Sequence, residues 1–231
     1  MPQTPHIEKH FLASNTVRDV IIGMSDGLTV PFALAAGLSG AVDSSSVIVV
    51  AGCAELVAGA ISMGLGGYMA ALNDADHYSS ERKREYQEIQ QIPEQEKQEV
   101  RDMLASYGLT AQDVEPMIQR FVKQPDAWVS FMMRYELGLE EPDSKRAPKS
   151  AATIAASYAG GGMIPLMPYF FYVHPHDALL LSVLVTLLAL LIFGFIKSRL
   201  VGAGPFQGAF RTAVIGSLAA GAAYLIAHFI G

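Results

Sequence analysis

Charge is confined to one stretch of this chain, and that segregation constrains its fold more than any other feature. Positions 73–149 hold 27 of the 38 charged residues, whereas the other 154 positions hold 11. A soluble globule spreads charge over its whole surface; a polar domain inserted into an apolar chain produces the pattern seen here. Charged residues make up 16% of the chain, against about 25% for a soluble domain. With 51% hydrophobic residues, disorder and collagen are excluded.

The apolar part contains five runs long enough to cross a hydrocarbon core, which takes about 20 mostly apolar residues. They are 20–42, with Asp26 as its one charge; 44–73, with Glu55 as its one charge before Asn73; and 150–173, 178–196 and 212–231, with none. The expected fold is therefore all-α, a polytopic membrane protein with five transmembrane helices and a polar helical domain between the second and third. The divisions are a tail at 1–17, two spans in 18–72, the polar domain at 73–149 and three spans in 150–231. Lys and Arg mark the cytosolic side. They lie at Lys9 and Arg18, eleven times in the polar domain, and at Lys197, Arg199 and Arg211. This places the N-terminus and polar domain in the cytosol and the C-terminus outside or in a lumen. The first 17 residues have no apolar core of a signal peptide. The single cysteine, Cys53, lies in a span and has no intrachain partner. In the polar domain sixteen acidic residues outnumber eleven basic ones, so nucleic acid is not an expected partner.

Breaks divide the polar domain into helices expected at 76–92, 93–107, 113–123 and 126–137, with Gly108 and Gly138 as C-caps and Pro93 and Pro125 as punctuation. The second span leads directly into the first of these helices and projects into the cytosol. Its small-residue stretch at 59–67 fits close helix packing in lipid. Gly160 to Gly162, followed by Pro165 and Pro168, fits packing and a bend in the third span.

Acidic residues inside spans carry the sharpest chemical signal, because an ionised carboxylate at mid-bilayer is costly and faces a polar path or a partner. Asp19 and Asp26, seven apart, share one helix face. Asp19 reads equally as an interfacial carboxylate beside Arg18. Glu55 and Met63 are eight apart on the next span, with Gly59 between them leaving room beside the helix. Carboxylate oxygen with thioether sulfur suits a first-row transition ion better than magnesium or calcium. In the polar domain Glu81, Glu85 and Glu88 form one row, Glu96 and Glu99 a second, Met132 and Glu136 a third; the spacing fits a solvated acidic face as well as a cation site. His174 and His176 read as outer-loop residues or as a weak exit-side metal site. No hydrolase, phosphate-binding or zinc-protease motif is present, nor the Glu-x-x-His pair of di-iron enzymes, so an enzyme is not expected.

The segment from Arg18 to Phe32 (RDVIIGMSDGLTVPF), Ala54-Glu55, Ala60 to Gly64 (AISMG), Ala75 to Tyr78 (ADHY) and Trp128 to Glu140 together resemble the vacuolar iron transporter family, from Arg18 to about Pro168. The last two spans resemble it in length and hydropathy. The resemblance implies a homodimer of five-span subunits that exports Fe²⁺ from the cytosol in exchange for protons, along a path at the subunit interface. It implies Asp19, Asp26, Glu55 and Met63 as path residues, and Glu85, Glu88, Glu96, Glu99, Met132 and Glu136 as metal ligands of the cytosolic domain. No resident cofactor is implied; Fe²⁺ is cargo, with Mn²⁺, Co²⁺, Ni²⁺ and Zn²⁺ as further candidates. The partners are metal ions, protons, the lipid bilayer and a second copy of the chain. A manganese transporter of the same family shares these features. A metal-regulated sensor or scaffold needs the glutamates but not Asp26 or Glu55, and a ferroxidase is the enzymatic alternative. A vacuole-type membrane and the cell membrane both fit.

Overall fold

Apolar runs of this length give long helices, and the computed structural model is all-helical over the residues it describes, 15–230. Residues 1–14 of the expected tail lie outside the described residues. The elements are α1 (Asn15–Ser39), α2 (Ser45–Gln91), α3 (Pro93–Ser106), α4 (Ala111–Lys123), α5 (Pro125–Tyr135), α6 (Arg146–Leu166), a 3-10 turn (Met167–Phe170), α7 (Pro175–Leu200) and α8 (Pro205–Ile230). The chain divides into two units. One comprises Met1–Tyr68 with Ala147–Gly231, the other Met69–Arg146. Helix α2 belongs to both.

Among the described residues, four helices are long and apolar enough to cross a membrane: α1, α2, α7 and α8. Helix α6, within the expected third span, is not among them. It starts at Arg146, carries Lys149, and gives way at Leu166 to the 3-10 turn. Pro165 and Pro168, which cannot donate backbone hydrogen bonds, flank that change.

What α6 offers instead is a surface of small residues. Gly161 and Gly162 are buried. A Cβ at Gly162 would lie 2.8 Å from Pro31 Cγ of α1, and one at Gly161 would lie 3.2 Å from the Leu28 nitrogen. Gly27 of α1 in turn faces α6, where a Cβ would sit 2.9 Å from the Tyr158 Cα. The two backbones meet because neither carries a side chain there. Pro31 does not break α1, which runs unbroken from Asn15 to Ser39. It deprives the Gly27 carbonyl of its i+4 donor, and that oxygen lies beside Gly162. A valine at position 162 is expected to separate α1 from α6 and to cost about 1–3 kcal/mol or more, read as a lowered unfolding temperature of the detergent-purified protein. An unchanged temperature would refute this close approach.

The polar unit has its own core of Ile89, Val100, Val114, Ile118, Trp128, Val129, Met132 and Met133. These residues come from the end of α2 and from α3, α4 and α5. Gly108 and Gly138 have φ of +85° and +65°, the left-handed conformation expected of C-caps. Helix α4 begins earlier than expected, at Ala111, because Thr110 and Asp113 form a reciprocal capping box.

Candidate functional site

The apolar unit holds the first group of candidate residues. On α1, Asp19 is buried at 2% exposure, while Asp26 is half-buried. On α2, Glu55 and Met63 are half-buried. The space beside Gly59 is occupied by the ring of Tyr158 from α6; a Cβ at Gly59 would lie 2.5 Å from its Cζ. That ring reaches Glu55, and the Tyr158 hydroxyl donates a hydrogen bond to Glu55 Oε1. The other oxygen, Oε2, is buried with no hydrogen-bond partner. Asp26 adjoins Gly27, whose backbone meets that of Tyr158. Three helices thus bring Asp26, Glu55 and Tyr158 together, with Asp19 and Met63 about two turns further along α1 and α2.

A buried carboxylate oxygen without a donor is costly unless something positive reaches it. Glu55 presents one oxygen tied to a phenol and one open to a cation or proton. Tyr158 was not among the residues singled out from sequence, where it is an uncharged residue in a run of Ala, Ser and Gly. The one available signal was its polarity: it is the only large side chain with a hydroxyl between Ser150 and Leu166.

The polar unit holds the second group. Glu85 and Glu96 are each 2% exposed, on α2 and α3. Burial pushes the Glu85 carboxyl up to about 7, and the charges of Glu136, Glu88 and Glu99 add to the effect against the opposing Arg84. Glu96 is pushed up to about 7 by burial first, then by Glu99, Glu85, Glu88 and Glu136. Glu136, at the end of α5, is raised by loss of hydration and then by Glu99 and Glu88. Five carboxylates on three helices therefore act on one another, and Glu85 Oε2 is buried without a hydrogen-bond partner. Met132 is fully buried in the adjoining core. Glu81, on the same row as Glu85 and Glu88, is engaged differently: Arg84 Nη1 lies 3.0 Å from its Oε2, and Arg84 Nε 3.5 Å from Glu88 Oε1. Among the described residues no three His, Cys, Asp or Glu side chains converge closely enough to close on one ion. The glutamates share a field rather than a closed ligand shell.

Buried acids in apolar helices, in a chain whose polar unit carries an acidic group of its own, are the pattern expected of a metal carrier, and comparison with known proteins agrees. Residues 17–228 match the VIT family. The chain belongs to that family. It is 55% identical to vacuolar iron transporter 1 of Arabidopsis thaliana over 97% of this chain and 90% of the relative. It is 54% identical to vacuolar iron transporter 2 of Oryza sativa over 97% of this chain and 92% of that one. Protein CCC1 of Saccharomyces cerevisiae is 40% identical over 93% of this chain and 69% of its own length. The Arabidopsis and Oryza relatives are named as transporters, not enzymes, and this VIT-family chain is a membrane protein with several apolar helices.

His174 and His176 are both exposed at the start of α7, where His174 is the residue before the first turn. The positive end of a helix disfavours a cation there, and among the described residues no third ligand joins them.

Proposed function

We propose that this chain carries Fe²⁺ out of the cytosol in exchange for protons, as a homodimer whose path lies where α1 and α2 of two subunits meet. The observation that carries this reading is the pair Asp26 and Glu55, set within helices apolar enough to span a bilayer, with Tyr158 of α6 bonded to Glu55. Helix α2 supports the dimer: Val47, Val50, Val57, Ile61 and Leu65 are exposed in the single chain and suit a second copy of the same helix. Helix α6 acts as the fifth crossing, its small residues packed against α1 and α2 rather than turned to lipid. The Lys and Arg distribution puts the polar unit in the cytosol.

In this mechanism the glutamates of the polar unit, Glu85, Glu88, Glu96, Glu99 and Glu136, with Met132, collect the ion. It then enters the membrane path past Asp19, Asp26, Glu55 and Met63. Metal and proton compete for the same carboxylate oxygens. Protons arriving from the far side displace the ion by neutralising those oxygens, and their return to the cytosol resets the path. Tyr158 holds one oxygen of Glu55 and leaves the other for this exchange.

Reconstitution tests the proposal directly. Purified protein in liposomes with an imposed pH gradient is expected to admit Fe²⁺, followed with a trapped metal-quenched dye, and Mn²⁺ in parallel ranks the two ions. Uptake indifferent to the gradient would remove proton coupling, and metal binding without uptake would favour a sensor. Tyr158→Phe removes the donor to Glu55 while keeping the ring that fills the space at Gly59. Its uptake rate is expected to fall by roughly tenfold, the order of one hydrogen bond to a charged group; an unchanged rate would reduce Tyr158 to packing.

A further inference from the structure

We propose that the junction between α7 and α8 holds the phosphate-bearing headgroup of an anionic phospholipid from the cytosolic leaflet. The inference rests on the reading of α7 and α8 as bilayer-spanning helices with their joined ends in the cytosol.

A pocket of about 410 Å³ opens at this junction, bounded by Lys197 and Ser198 at the end of α7 and by Gly204, Gln207, Arg211 and Thr212 at the start of α8. It contains two cations, hydroxyl groups and an amide, and no acidic residue. The single acid of these two helices, Asp177, is in the first turn of α7, at its other end. Among the described residues, neither Lys197 nor Arg211 makes an ion pair. Lys197 instead rests on the face of Phe193, its Nζ 5.5 Å from the ring centre. Its ammonium therefore lies over an aromatic ring with no anion beside it.

The backbone adds to this field. Gly202, at φ +73°, ends the chain's course along α7 and returns it toward Pro205, so that the first turn of α8 forms one wall. Pro205 has no N–H and the Gly208 N–H bonds the Gly204 carbonyl at 3.0 Å, so the amides of Phe206 and Gln207 are the ones without an intrahelical acceptor at the positive end of the helix dipole. The Thr212 hydroxyl donates to the Gly208 carbonyl at 2.8 Å, so its proton stays within α8, which leaves Lys197, Arg211 and the Gln207 amide as side-chain donors for an anion. The surroundings suit a lipid. Phe206, Phe210 and Ile215 are exposed on α8, and Ile192 and Ile196 on α7, so acyl chains have apolar surface next to a basic pocket. Basic pockets between the cytosolic ends of membrane helices are sites for anionic headgroups. The reading as a solvated basic loop explains the charges but not their placement around a cavity free of acids.

The test uses the full chain in nanodiscs of phosphatidylcholine alone, or containing phosphatidylserine or a phosphatidylinositol monophosphate. Lipids co-purifying after detergent exchange are counted by native mass spectrometry. An anionic lipid is expected to be retained over phosphatidylcholine. Lys197→Gln with Arg211→Gln is expected to lower that retention by about thirtyfold, from about fivefold per cation near a membrane surface. Arg199→Gln, a cation on the same link that does not line the pocket, is the control and keeps most of the retention. Equal retention of zwitterionic and anionic lipid, or a double variant that binds like the parent, overturns the proposal. Inorganic phosphate that competes the lipid away at equal concentration assigns the pocket to a free anion instead, and likewise overturns it. If the double variant fails to fold, Gln207→Leu removes a neutral side-chain donor of the pocket without touching its charge and is expected to lower retention more modestly, and no change there counts against the site. Resistance of the chain to alkaline extraction from the discs is scored separately, so loss of the spanning reading is distinguished from loss of the lipid site.

Discussion

Asp26→Ala is expected to bring gradient-driven Fe²⁺ uptake down to the background of empty liposomes while the protein elutes and unfolds as the parent does. Both halves follow from where Asp26 sits. It is half-buried in α1 and its carboxylate makes no hydrogen bond to the described residues, so that group supports little of the packing around it. The helix contacts nearby are made by the Gly27 backbone against Tyr158 and by Pro31 against Gly162, and an alanine at position 26 leaves them intact. A carboxylate retained at such a depth, at a cost of several kcal/mol in an apolar medium, is explained by a cation or proton that visits it. Asp26→Asn keeps the shape and loses the charge, and is expected to fail equally. Full uptake by either variant would sink the path assignment. Asp19→Ala gives a different expectation, because Asp19 is 2% exposed and engaged by neighbours; a change there disturbs stability as well as transport, and is a weaker test.

Which parts of this molecule could be read from sequence depended on whether the deciding interaction was local. Asp26 and Glu55 stand out because a single charge in an apolar run is anomalous by itself. The caps at Gly108 and Gly138 are local too, since only glycine adopts their positive φ at no cost. Tyr158 could not be read in the same way: its role depends on meeting Gly59 and Glu55 of a helix far away in the chain. The third span shows the opposite case. The run 150–173 is long enough as letters, but its charge-free helical part ends at Leu166, with prolines on either side of that point bending the rest into a 3-10 turn. The row of Glu81, Glu85 and Glu88 was visible as a row, yet its members divide by partner. Arg84, one turn from Glu81, claims that residue, while Glu85 turns to the other acids.

The polar unit is expected to lose stability as pH rises from about 5 to above 7, and to regain it when Fe²⁺, Mn²⁺ or Zn²⁺ is added near neutral pH but not near pH 5. In the unfolded chain Glu85 and Glu96 ionise near the ordinary value of 4.5, whereas in the folded unit they hold their protons up to about 7. Between those values the folded state binds more protons, so raising the pH favours unfolding; above both, the penalty is complete and the dependence flattens. Glu136 shifts in the same direction and adds to it. A divalent ion replaces the lost protons between the same carboxylates. Its apparent affinity should fall below pH 7 by up to about a hundredfold per pH unit where two protons must leave for each ion bound. The chain contains one tryptophan, Trp128, buried at 3% exposure in the core of this unit, so its fluorescence during denaturation reports on this unit alone. The double variant Glu85→Gln with Glu96→Gln replaces the two shifted acids by neutral amides of the same shape. It should flatten the pH profile, raise the midpoint at pH 8, and abolish stabilisation by metal. A parent profile that stays flat through this window, or a double variant still stabilised by the same ions, would show that these glutamates repel one another without serving as the place where the ion is collected.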